Sequence, residues 1–118
     1  SSANIHYNYI PPESNKIDAI GSYVDKVEIK KEIVDDKAIF TITVLGDATV
    51  DLSKITLRVA EYNSVKTLIR FNTGTNLVTD GKLVITADLP KTEIYKYMLW
   101  DHNQVPIIDG ISKINGSK

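Results

Sequence analysis

At 118 residues, 42% of them hydrophobic and 25% charged, the chain is long enough for one domain with one core and too apolar for disorder. Its net charge of −1 lacks the basic surplus of a nucleic-acid binder, so no nucleic-acid partner is expected. The absence of cysteine excludes disulfides, thiolate catalysis and cysteine-based zinc sites, and no apolar run approaches the ~18 residues of a membrane span.

Residues 1–21 read as a lead-in segment, with Pro11-Pro12 and several Asn and Ser residues. Within it, Ile5, Tyr7 and Tyr9 alternate with His6 and Asn8. That is the pattern of a strand that adds to a sheet edge, of its own domain or of another chain.

Residues 22–109 read as the body. A strand over 23–34 places Val27, Ile29 and Ile33 on one face, and Asp35-Asp36-Lys37 turns it into a second strand, 38–45, with Phe40, Ile42 and Val44 inward. After Gly46-Asp47-Ala48-Thr49 the alternation resumes over 55–61, with Ile55, Leu57 and Val59 inward. Asn63-Ser64 turns the chain into 65–71, where Val65, Thr67, Ile69 and Phe71 oppose Lys66, Leu68 and Arg70. Gly74, in a polar loop, reads as a flexible connection, and Asp80-Gly81 is a turn signal before the strand Lys82 to Asp88.

The strand 93–100 is bulky on both faces, with Ile94, Lys96, Met98 and Trp100 on one and Tyr95, Tyr97 and Leu99 on the other. A central strand or a subunit interface has that composition. A last strand is expected over Val105 to Asp109, and residues 110–118 read as a fraying tail. About seven strands with turn signals every 8–12 residues predict an all-β, immunoglobulin-like β-sandwich.

The chain carries little catalytic vocabulary. His6 and His102 are its two histidines, and His102 falls in a predicted turn, Asp101-His102-Asn103. No G-x-S-x-G occurs. The scattered aspartates suit turns better than a calcium site. No catalytic residue, cofactor or metal is expected. Asn115-Gly116-Ser117 matches the glycosylation sequon.

The segment Ala48-Thr49-Val50-Asp51-Leu52-Ser53-Lys54-Ile55-Thr56-Leu57-Arg58-Val59, preceded by the hairpin from Val27 to Leu45, resembles the start of the globular domain of archaeal flagellins and their archaellum relatives. In composition, compact and rich in Lys, Ile and Tyr, the chain is more similar to the soluble domain of an archaellum accessory protein of the FlaF/FlaG type. The resemblance implies a non-enzymatic stator component. It would act in motility between the cytoplasmic membrane and the S-layer, anchored by an N-terminal helix not present in this chain. The start at Ser1-Ser2-Ala3 suits a shortened chain. The implied partners are proteins: a second copy, a paralogous stator protein or the S-layer protein.

Contact candidates are Ile5, Tyr7 and Tyr9 in the lead-in, Val65 and Leu68 on one strand with Val84 nearby, and Tyr95 and Tyr97 on another. The alternatives are a filament subunit, archaellin or archaeal pilin, and a carbohydrate-binding or adhesion sandwich using Tyr95, Tyr97 and Trp100 as an aromatic platform.

Overall fold

The computed structural model describes residues 15–91 and 94–113. Nine strands lie among them: β1 (Lys16–Ile17), β2 (Val27–Val34), β3 (Lys37–Val44), β4 (Thr56–Tyr62), β5 (Leu68–Thr73), β6 (Thr75–Thr79), β7 (Lys82–Asp88), β8 (Ile94–Trp100) and β9 (Ile111–Lys113). They form two antiparallel sheets, ordered β1-β2-β3-β7-β6 and β5-β4-β8-β9. The order β2-β3-β7-β6 facing β4-β8-β9 is that of an immunoglobulin sandwich, with β5 as an added edge strand beside β4.

Local chemistry sets the register. Asp35 and Asp36 both take positive φ, 49° and 64°, and Val34 pairs with Lys37. Such a two-residue turn matches the right-handed twist of its strands, and Asp tolerates the left-handed region better than most residues. It fixes the eight-residue β2–β3 pairing from Val27↔Val44 to Val34↔Lys37. Ile33 keeps the parity of Val27 and Ile29 but extends past the core and is exposed.

Inward residues of the two sheets build one core. Val27, Ile29, Ala38, Phe40, Ile42, Leu83 and Ile85 meet Leu57, Val59, Tyr97 and Leu99. Phe40 and Tyr97 make an edge-to-face contact between the sheets, with ring centroids 5.6 Å apart.

Four expectations need correction. The segment Val105 to Asp109 is no strand: only Pro106 bridges, to Trp100. A proline offers the ladder no N–H, and the adjacent Ile107 and Ile108 are both buried, which alternation in a strand would not allow. Among the described residues, the outermost strands in sequence are instead Lys16–Ile17, paired with β2, and Ile111–Lys113, paired with β8. Residues 110–113 are therefore not fraying chain.

The strand expected over 65–71 runs from Leu68 to Thr73, and Leu68 and Arg70, which simple alternation puts on one face, lie on opposite faces. Phe71 lies opposite Ala60 on the outer face, while Arg70 lies opposite the buried Glu61. The pairing sums shift between Glu61 and Tyr62, which leaves Ile69 as an extra, bulged residue on β5.

Gly74 is not a flexible connection. It is the single residue between β5 in one sheet and β6 in the other. Its N–H donates to the Leu57 carbonyl at 2.9 Å. A Cβ there would lie 2.6 Å from Ile85 Cγ2 and 3.2 Å from Leu57 Cβ, so only glycine lets the chain cross at this spacing.

Candidate interaction surface

The crossing at Gly74 brings the outer edges of both sheets to one side of the sandwich. β5 ends one sheet and β6 ends the other, and every residue of both strands is exposed. The backbone ribbon is continuous, and its exposed apolar side chains fall in two groups, Leu68, Ile69 and Phe71 on β5 and Leu77 and Val78 on β6, with the polar stretch from Asn72 to Asn76 between them. Unpaired strand edges are templates for further pairing.

The two edges are held differently. On β5, Arg70 Nη1 reaches Glu61 Oε1 at 2.9 Å, beneath the strand. The bulge at Ile69 and the charges of Lys66 and Arg70 guard this edge. Its entry loop is shaped by one side chain: Asn63 Oδ1 accepts from the N–H groups of Val65 and Thr67, each at 3.0 Å. This loop holds Val65 outward, 77% exposed. On β6, Asn76 Nδ2 donates to the Ile55 carbonyl at 2.7 Å and ties the strand to the residue that leads into β4. From Thr75 to Thr79 the strand carries no charge and no proline.

Outside β4, Arg58 lies between two rings, its guanidinium carbon 5.7 Å from the centroids of both Phe71 and Trp100. Arg58 Nε is buried and has no hydrogen-bond partner. The rings provide its favourable contact instead.

The structure distributes the sequence candidates unevenly. Val65 and Leu68 are exposed, Val65 in the turn and Leu68 at the start of β5. Tyr97 is 0% exposed and belongs to the core. Burial first, and the neighbouring Tyr95 second, hold its phenol well above the ordinary value. Tyr95 is half-buried, its ring 5.2 Å from that of Tyr97. Trp100 faces the other way, beside Arg58, so these three aromatics form no common platform. Val84 neighbours Leu77 in the five-stranded sheet and shares no face with Leu68. Ile5, Tyr7, Tyr9, His6 and Asn115 lie outside the described residues.

Leu77 and Val78 are the interaction candidates that sequence reasoning passed over. The signal was present, since Thr75–Thr79 precedes the Asp80-Gly81 turn. Two apolar residues among threonines and asparagines were too short a run to mark an edge strand, although the strand from Lys82 to Asp88 that it pairs with was legible.

His102 is exposed in the turn after β8. Among the described residues, no group of three or more His, Cys, Asp or Glu could hold a metal ion, and no helix is long and apolar enough to cross a membrane. In comparisons with known proteins, no family model matches the chain, and neither a curated protein nor a solved structure matches it.

Proposed function

We propose that this domain is a non-enzymatic assembly protein working outside the cytoplasm by protein–protein contact, in the manner of an archaellum stator component. It would bind itself, a paralogous stator protein or the S-layer. The observation that carries this reading is the pair of exposed edge strands on either side of Gly74, with Leu68, Ile69 and Phe71 on one and Leu77 and Val78 on the other. Backbone edges and apolar side chains are offered together there, the combination that strand addition uses for affinity and register. The resemblance of the segment from Ala48 to Val59 to archaellum proteins supports the choice of partner.

Co-sedimentation of the 118-residue chain with isolated S-layer protein tests the reading. Binding is expected, and Leu68→Asp is expected to weaken it, because a charge is set into the ribbon without touching the core. Absence of binding to S-layer protein, together with absence of self-association, overturns the reading.

A further inference from the structure

We propose that β6 is a strand-addition edge for a second copy of this chain, paired antiparallel about a two-fold axis through Leu77. The proposal rests on the assembly reading and names a partner and a register for it.

Backbone direction along β6 follows from one hydrogen bond. The Val44 N–H donates to the Gly81 carbonyl at 2.9 Å. In an antiparallel ladder the direction of the backbone groups alternates residue by residue. Leu83, Ile85 and Ala87 therefore face β3, as Gly81 does, while Lys82, Val84 and Thr86 face β6. Their partners Thr79, Leu77 and Thr75 are thereby engaged on β7. Asn76 and Val78 direct their N–H and C=O groups to the open side.

A two-fold axis through Leu77 sets Asn76 of one copy opposite Val78 of the other, twice. Each such pair exchanges both of its bonds, about four hydrogen bonds in all. Leu77 then faces its own symmetry mate across a close, non-bonded pair, where the side chains approach most nearly. The contact is isologous, so it closes as a dimer and does not propagate.

Charge and topology favour a second copy over other occupants. Thr75–Thr79 is uncharged, so self-pairing brings no like charges together, and Asp80 falls opposite Gly74 of the copy. The protected β5 edge lacks this neutrality. Within one chain, β1 enters the same sheet at the edge opposite β6, so the described chain approaches this sheet on the far side.

Cysteine substitution tests the register, because the chain contains no other cysteine. In the proposed pair the two Leu77 Cα atoms are about 4.5 Å apart, within disulfide reach. Thr79 and its mate are offset by about 13 Å and out of reach. Under mild oxidation Leu77→Cys is expected to form a covalent dimer at least tenfold faster than Thr79→Cys.

Val78→Pro removes an outward N–H and leaves the β6–β7 ladder intact. Leu77→Lys adds an edge charge. In sedimentation velocity each is expected to weaken self-association tenfold or more. Equal cross-linking of the two cysteine variants, or self-association unchanged in both Val78→Pro and Leu77→Lys, overturns the β6 pairing. Either result leaves S-layer binding to be judged by its own assay, so failure here is distinct from failure of the assembly reading. An occupant other than a second copy would show as monomeric chain whose S-layer binding is lost in Val78→Pro, and that too overturns the proposal.

Discussion

The Tyr23 hydroxyl donates to Asp101 Oδ2 at 2.9 Å, joining residues 78 positions apart. Asp101 Oδ1 meanwhile accepts from the N–H groups of Asn103 and Val105, at 2.8 and 3.0 Å. One carboxylate thus shapes the turn after β8 and holds it to the 3₁₀ turn Gly21–Tyr23. The parallel bond from the Ile20 N–H to the Ile107 carbonyl, 2.9 Å, makes this a two-point attachment. Tyr23→Phe removes one point and is expected to lower Tm by about 2–5 °C, measured by thermal unfolding at neutral pH.

The same pair predicts a pH dependence at both ends of the scale. The backbone N–H of Val105 first, then Tyr23, the Asn103 N–H and His102, hold the Asp101 carboxyl below its ordinary 3.8, against the opposing effect of burial. Its contribution is present above 3.8 and is lost as pH falls through the lower folded value. Burial first, then the hydrogen bond to Asp101 and its charge, push the Tyr23 phenol from 10.0 to about 12. That contribution is complete below pH 10 and is lost as pH rises toward 12. The stability difference between wild type and Tyr23→Phe is expected to stay flat from pH 5 to 9 and to shrink outside. A difference unchanged at pH 11.5 contradicts this account.

Gly74→Ala is expected to destabilise the sandwich by about 1–3 kcal/mol through overpacking. The added Cβ meets Ile85 and Leu57, both 0% exposed and with no room to retreat. Urea unfolding measures the cost. An alanine variant as stable as wild type would mean that the sheet crossing has more slack than the distances show.

Arg58→Ala is expected to cost about 1 kcal/mol by loss of its two ring contacts. Trp100 is the only tryptophan, so its emission reports the change directly, as a shift to longer wavelength when the arginine cover is removed. Arg58→Lys keeps the charge without the planar stack and should fall between wild type and alanine in both readouts.

Phe40→Ala removes the ring that meets Tyr97 edge-on between the sheets. At a position with no solvent exposure, the expected loss is about 3–5 kcal/mol in chemical unfolding.

Alternation was enough to read most of the sandwich. Phe40 and Ile42 on β3, Leu57 and Val59 on β4, and Tyr97 and Leu99 on β8 all face inward as the period-2 pattern requires. The reading lost its hold where burial no longer enforces the pattern. On β5 both faces are wet, so Ile69 and Phe71 carried no information about direction, and a bulge at Ile69 puts Leu68 and Phe71 on the same face, which alternation does not allow. In the segment after His102, Ile107 and Ile108 enter the core as neighbours, which alternation cannot represent.

The contact surface was legible only in part. Val65 and Leu68 stood out as apolar groups among charges. Leu77 and Val78 matter because of where β6 sits in the sheet order, a long-range property that no local window contains. Tyr97 looked like a contact residue because aromatic character marks cores and interfaces alike.

Gly74 also bears on how the two layers are joined. Strands in separate layers usually communicate through side chains, which can slide and repack. Here a single peptide step links the layers, and it is fastened to Leu57 on one side and seated against Ile85 on the other. The backbone path from β6 therefore enters the other layer within one residue, through the peptide to β5 and through the hydrogen bond to Leu57 on β4, with no side chain as intermediary.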